Sequence, residues 1–229
     1  MKAFLFDFDG LLVDTLHLHL VAIKETMKFL KVRCNKFDYK DFQGESTAKI
    51  AQIARNNSNV NFVLSDFIHL ENKYFIDLLN TKNIKLQSGA IELLDYCKKW
   101  GLGTAIVTNA NLKKEVQPVF DSMQNSTMVM DCFDFIITGD EGANRKPSPD
   151  IYYEALRRVG LSGTDCVAFE DSLPGAQAAH KSGCWVIGVG SQIEDDQVHH
   201  RVNTLHDVFS TFHELGHPRN IHTILNINI

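Results

Sequence analysis

Five short, mostly apolar runs punctuate the chain, and four of them end in functional polar groups. They are Ala3–Phe6, running into Asp7; Thr104–Val107, running into Thr108; Phe133–Ile137, ending near Gly139 and Asp140; Cys166–Phe169, running into Glu170 and Asp171; and Trp185–Val189. Continuous rather than alternating apolar character predicts strands covered on both faces, as in a parallel sheet. Amphipathic helical stretches lie between them: Ile91–Trp100, Leu112–Met123, Pro149–Val159 and Gly175–Ser182. Gly160 and Gly183 stand where glycine caps end helices, and Ser148 with Pro149 reads as an N-cap followed by a first-turn proline. Alternating strands and helices predict an α/β fold with a doubly wound, Rossmann-like parallel sheet.

The intervals between strands carry more information. A strand–helix–strand unit takes roughly 30 residues, and the later strands keep near that interval. The first two are far further apart, so the excess, residues 16–86, is expected to form an inserted helical cap domain beside a core of 1–15 and 87–229. Its pattern is helical over Leu18–Leu30, Ala48–Ala54 and Val63–Leu79. The stretch from Gly216 onward reads as poorly packed, although Ile221–Ile229 is apolar enough to dock or to add a strand.

With 229 residues, 44% hydrophobic and 22% charged, the chain can bury a substantial core, and its fifteen Phe predict an aromatic interior. A net charge of -5 and the absence of any Lys/Arg stripe argue against a nucleic-acid partner. The five cysteines are widely spaced with no C-x-x-C, which fits free thiols in a reducing compartment. No signal peptide or bilayer-spanning run is visible, so the expectation is a cytoplasmic protein with no membrane and no obligate protein partner.

In an open parallel sheet, ligands bind at the carboxyl ends of the strands. Asp7 and Asp9, Thr108 and Asn109, and Glu170 and Asp171 all fall there, with Lys146 in the loop beyond the third run. Taken singly, each has a bland reading: solvated loop acids, helix caps, a surface lysine. Taken together, four convergent acids would repel one another unless a hard divalent cation joined them, and oxygen ligands beside a phosphate point to Mg²⁺. Thr108 and Asn109, between strand and helix, suit a phosphate, and Lys146 supplies a point positive charge.

The segments Asp7–Thr15, Ile106–Asn109, Arg145–Asp150 and Phe169–Ser172 resemble the four motifs of the haloacid dehalogenase-like hydrolases, in particular the subgroup of β-phosphoglucomutase and related sugar-phosphate phosphatases. The resemblance implies that Asp7 is a nucleophile forming an aspartyl-phosphate and that Asp9 is the general acid and base. It implies that Mg²⁺ binds Asp7, the Asp9 carbonyl, Asp171 and Glu170, and that Thr108, Asn109 and Lys146 hold the phosphoryl group. Asp14 and Thr15 would have orienting roles on the hinge side. His19 falls where the mutase carries a histidine that assists the acid–base aspartate; packing within the cap is its other reading.

One departure bears on substrate. Where the mutase cap supplies an arginine for a second phosphate, this chain reads Gln43-Gly44-Glu45-Ser46-Thr47. Gly44, Glu45 and Ser46 are candidate substrate contacts. Without cap cations a second phosphate would be held weakly, so hydrolysis of a small phosphorylated metabolite is preferred to sugar phosphomutase chemistry. A receiver-like signalling domain is the non-enzymatic alternative; such domains are shorter and lack the inserted cap. Dehalogenase chemistry is disfavoured, because that branch lacks the second aspartate.

Overall fold

A computed structural model describes residues 1–33, 46–141, 144–190, 193 and 195–218, without the side chains of residues 195 and 215. Gly44, Glu45, Cys34 and the segment 221–229 lie outside the described residues. Among the described residues, six parallel strands form one sheet: β1 (Ala3–Phe6), β2 (Gly103–Val107), β3 (Phe135–Ile137), β4 (Cys166–Glu170), β5 (Trp185–Val189) and β6 (His200–Val202). Their order is β3-β2-β1-β4-β5-β6. The chain therefore winds outward from β1 in both directions, which leaves a crevice at the tip of β1.

The continuous apolar runs are explained by the two faces. Phe4, Phe6, Ile106, Val167, Phe169 and Ile187 lie in one cluster with α4 (Ala90–Trp100), α5 (Gln117–Asp121) and α9 (Leu205–Leu215). Ala3, Leu5, Ala105, Val107, Ala168 and Val186 lie in the other with α7 (Asp150–Val159) and α8 (Leu173–Lys181). Successive residues point to opposite faces, so a strand covered on both must be apolar throughout. The first face is the aromatic interior: Phe6 stacks on Phe169 at 5.0 Å, and Phe4 sits 5.2 Å from Phe212.

Between β1 and β2 come α1 (Leu16–Phe29), α2 (Thr47–Asn56) and α3 (Leu64–Leu79). Ile23, Met27, Ile50, Ala51, Ala54 and Phe67 form a cluster among these helices, while Leu18, Ala22, Phe75 and Leu79 join the aromatic cluster of the sheet. The chain leaves and re-enters the sheet side by side: Val13 bridges Leu86, and Gln87 N–H donates to the Leu12 carbonyl at 2.8 Å.

Several expectations need correction. Helix α7 starts at Asp150 with Pro149 at its N-cap and no side-chain cap, so Ser148 does not cap it; the Ser148 N–H instead closes a turn on the Arg145 carbonyl. The stretch expected as one helix from Leu112 begins as a π-helical turn, Leu112–Val116, before α5. The tail is anchored where it starts: Tyr96 O–H donates to the Gly216 carbonyl at 2.9 Å, and His217 packs on Trp100. β6, α9 and the short α6 (Ser126–Met130) were not anticipated. Cys97, Cys132, Cys166 and Cys184 are free thiols. Among the described residues no helix is long and apolar enough to cross a membrane.

Candidate active site

Strand register places the site. Phe6 is level with Ile106 on one side and Phe169 on the other, so Asp7, Thr108, Glu170 and Asp171 emerge together at one edge. Phe8 is fully buried and packs 5.3 Å from Phe120. With Phe8 locked inward, its two flanking aspartates turn the other way and both line the crevice. The turn then reverses at Gly10, whose N–H donates to the Val13 carbonyl at 2.7 Å. Gly10 has φ +86°, and a Cβ there would stand 2.1 Å from Asp171 Oδ2. Both the backbone conformation and the close approach of the acid require glycine.

Lys146 reaches in from the loop between β3 and α7. Its Nζ donates to Asp7 Oδ1 at 2.5 Å, to Glu170 Oε1 at 2.7 Å and to the Val107 carbonyl at 2.7 Å. Burial alone would lower the lysine pKa, but the charges of Asp7 and Glu170 outweigh it and raise it, so the ammonium is fixed. Asn109 holds that loop by both backbone groups of Lys146: its Oδ1 accepts from the N–H at 2.9 Å, and its Nδ2 donates to the carbonyl at 3.4 Å. Thr108 is buried, and its hydroxyl accepts from the Ala110 N–H at 3.0 Å.

Glu170 is fully buried, and its Oε1 also accepts from Tyr152 O–H at 2.5 Å. Its Oε2 has no hydrogen-bond partner. A Cβ on Gly175 would meet that oxygen at 1.8 Å, so glycine there makes room for the carboxylate. Ser172, not Asp171, caps α8, accepting from the Gly175 N–H at 3.3 Å. The Asp171 carboxylate is thereby left to the crevice. Asp7, Glu170 and Asp171 each bring one carboxylate oxygen within 4.8 Å of the others. Burial, together with the charges of Asp7 and Glu170, raises the Asp171 pKa well above its ordinary value; burial also raises that of Glu170, against the pull of Lys146. An all-oxygen donor set, one orphaned buried acceptor and strained ionisation are what a hard divalent cation would relieve. These residues fit such an ion.

The Asp9 carboxylate stands outside that group and accepts from Thr15 O–H at 2.5 Å. Thr15 occupies the N-cap of α1 yet makes no capping bond, because its hydroxyl goes to Asp9. Burial raises the Asp9 pKa, the charge of His19 and the Thr15 hydrogen bond pull it back, and the result is about 6. An acid poised there can both give and take a proton near neutrality.

The chain's match to the haloacid dehalogenase-like hydrolase family spans residues 4–189. The chain belongs to the haloacid dehalogenase-like hydrolases. Protein CbbY of Rhodobacter capsulatus, a similar chain, is 31% identical over 197 residues, 82% of this chain and 84% of its own. Hexitol phosphatase A of Escherichia coli (strain K12) is 27% identical over 219 residues, 90% of this chain and 91% of its own. The crystal structure of a CbbY mutant from Rhodobacter sphaeroides in complex with xylulose-(1,5)bisphosphate aligns with a TM-score of 0.78 at 26% identity, over 96% of this chain and 98% of that one. The hydrolase fold expected from the motifs is the fold observed.

Opposite the strand tips, helices α1–α3 close a cavity of about 550 Å³, lined by Asp7, Asp9, Thr108, Asn109, Lys146 and Asp171 on one side. His19, Leu20, Ser46, Thr47, Ile68 and Glu71 are among the residues on the other. Ser46 is also the N-cap of α2, accepting from the Lys49 N–H at 3.3 Å. Sequence reasoning overlooked Glu71, which is only 2% exposed and accepts from His19 Nδ1 at 2.9 Å. A signal existed: Glu71 sits midway between Phe67 and Phe75, on the buried stripe of α3. Tyr152 was also missed, and nothing in the sequence distinguishes it from an ordinary core aromatic.

Proposed function

We propose that this hydrolase is a Mg²⁺-dependent phosphatase that cleaves a small phosphomonoester through a phosphorylated Asp7. The observation that carries the reading is Lys146 held between Asp7 and Glu170, with Asp171 completing an acidic cluster at the tip of the sheet. Relatives named for phosphatase activity, and one complexed with a sugar bisphosphate, support it. Asp7, Asp171, Glu170 and the Asp9 carbonyl would hold Mg²⁺, which offsets the repulsion between an anionic nucleophile and an anionic ester.

The chain's own groups account for the remaining chemistry. An Asp7 carboxylate oxygen attacks phosphorus as the bond to the leaving alkoxide breaks, and protonated Asp9 delivers its proton to that oxygen. Asp9, now ionised, takes a proton from water as the water oxygen attacks the aspartyl-phosphate. The phosphorus–Asp7 bond breaks, and inorganic phosphate leaves. The Thr108 hydroxyl and the second Nδ2–H of Asn109 would donate to the phosphoryl oxygens, and Lys146, whose three donors go to Asp7, Glu170 and the Val107 carbonyl, adds positive charge; in phosphoryl transfer, such positioning and charge neutralisation supply most of the rate. Residues 16–86 serve as a cap that excludes bulk water. Among the described residues, the cap side of the cavity carries no lysine or arginine, which favours release of phosphate over its return to a second site.

A panel of sugar phosphates and nucleoside monophosphates, assayed for free phosphate with Mg²⁺ and with excess EDTA, tests the reading. Phosphate should appear only with the metal, and Asp7→Asn should lower turnover by at least about a thousandfold while the protein stays folded. Undiminished rates in EDTA or in that variant would defeat it. Conversion of β-glucose 1-phosphate to glucose 6-phosphate with little free phosphate would favour the mutase.

A further inference from the structure

We infer that Glu71 is a positioning residue for the leaving-group side of this reaction, acting through His19; the inference rests on the phosphatase reading above. Glu71 Oε1 lies 2.9 Å from His19 Nδ1. An ionised carboxylate only accepts, so Nδ1 carries the proton and Nε2 is the nitrogen left for the cavity. Phe75, one turn along α3, stacks on the imidazole with centroids 3.9 Å apart and planes 13° apart. The hydrogen bond fixes the rotation of the ring, and the stack fixes its plane. Thr47 O–H donates to the second Glu71 oxygen at 3.4 Å, so α1, α2 and α3 meet at this one carboxylate.

Packing alone does not call for that carboxylate. Leucine or methionine would fill the site without the cost of burying an ion. The pair also does not face solvent: His19, Thr47 and Glu71 all line the cavity that holds Asp9. Burial lowers the His19 pKa, but the hydrogen bond and charge of Glu71 outweigh it and raise it to about 9, so the ring is an imidazolium and its Nε2–H is a fixed donor that stabilises charge developing on the ester oxygen while Asp9 transfers its proton.

The test compares two esters in the same Mg²⁺ buffer. Sorbitol 6-phosphate leaves as an alkoxide that needs a proton. The phenolate of p-nitrophenyl phosphate leaves without one. Glu71→Met keeps the volume and removes the acceptor, whereas Glu71→Gln keeps an acceptor for Nδ1–H. The expected result is a kcat loss of about 10- to 100-fold for Glu71→Met on the alkyl ester, part of what general acid catalysis supplies. On p-nitrophenyl phosphate the same variant should stay within about threefold, and Glu71→Gln should stay within about fivefold on both. Equal losses on the two esters would mean that Glu71 only holds the helices together, and no loss on either would also overturn the inference. If the unaltered enzyme turns over neither ester, the phosphatase reading falls with it. If Glu71→Met does not fold, the ring ¹⁵N resonances of His19 in the unaltered protein decide: a protonated, hydrogen-bonded Nδ1 upholds the arrangement, and an unprotonated Nδ1 overturns it.

Discussion

Supplying Mg²⁺ should raise the melting temperature of this protein, and should raise it more at pH 8 than at pH 5. Asp7, Glu170 and Asp171 have carboxylate oxygens within 4.8 Å of one another. At an effective dielectric of ~20, two unit charges at that distance repel by about 3.5 kcal/mol. Lys146 contacts Asp7 and Glu170, and no ion pair to Asp171 relieves the third acid among the described residues. Burial and its two neighbours raise the Asp171 pKa far above 3.8. The sign follows from linkage. An acid whose folded pKa exceeds its unfolded value adds stability below the unfolded value, and that contribution disappears as pH rises to the folded one. The metal-free protein therefore weakens as pH climbs above about 4. A divalent cation binds only the ionised acids, so its benefit grows over the same range. At a free concentration a hundred times its Kd, the gain is about 2.7 kcal/mol. For a chain of this size that corresponds to a Tm rise of roughly 5–10 °C. At pH 5, protons compete for the same oxygens, and the rise should be less than about half as large. Scanning calorimetry with MgCl₂ or EDTA at the two pH values measures the difference. No shift at pH 8, or equal shifts at both, would refute the reasoning, and an undiminished shift in Asp171→Asn would move the ion elsewhere.

Three further outcomes follow from the same geometry. Gly10→Ala forces a non-glycine residue to φ +86° and drives its Cβ to 2.1 Å from Asp171 Oδ2; the protein should lose about 1–3 kcal/mol and about a hundredfold in kcat/KM, read by thermal melts and phosphate release. Thr15→Val removes the hydrogen bond that helps hold Asp9 down at about 6, so the limb of the pH–rate profile that reports Asp9 should move to higher pH; an unmoved limb would disconnect Thr15 from the acid. Tyr152→Phe takes one of two donors from Glu170 Oε1, at a cost of about 1–3 kcal/mol. That loss should be larger at pH 8 than at pH 5, because the bond favours the ionised acid, and urea midpoints at the two pH values check it.

The parts of the fold that sequence made legible are those where burial leaves no choice of residue. β1, β2, β4 and β5 are covered on both faces and read as unbroken apolar runs. The outer strand β6 is His200-Arg201-Val202, whose exposed edge tolerates polar residues, so it carries no such run. Helix α9 went unread although it carried signals, the Thr204–Asp207 capping box and the apolar spacing of Leu205, Val208 and Phe212, all three buried. In the site, the acids and Lys146 were legible because each follows a strand or sits in a proline-stiffened loop. What sequence withheld was which oxygen each side chain serves. Asn109 turns to the backbone of Lys146, Thr15 gives its hydroxyl to Asp9, and Glu71 pairs with a histidine fifty-two residues away. Those choices depend on distances between elements remote in the chain, and local pattern cannot encode them.

The two walls of the cavity are built on overlapping cores: Leu18 and Ala22 of α1 and Phe75 and Leu79 of α3 lie in the same buried cluster as Phe4, Phe6 and Phe169 of the sheet. Asp7, Glu170 and Asp171 stand at the tips of the sheet, whose strands are locked by side chains packed on both faces, and Lys146 reaches in from the β3–α7 loop. His19 and Glu71 stand on α1 and α3, which share a smaller cluster with α2. The walls touch where Asn72 Nδ2 donates to the Lys114 carbonyl at 3.0 Å. They are joined in sequence at the Val13–Leu86 bridge. Yet the pKa of Asp9, on the sheet side, is lowered by the charge of His19, on the helical side. Any motion that carries α1–α3 away from the strand tips withdraws that charge and admits water, which changes the affinity of Asp9 for its proton. In the proposed reaction, proton transfer from Asp9 would be tuned by His19 while the two walls are together. On the proposed phosphatase reading, Asp7 keeps its place on the sheet, while the affinity of Asp9 for its proton follows its contact with the helical wall.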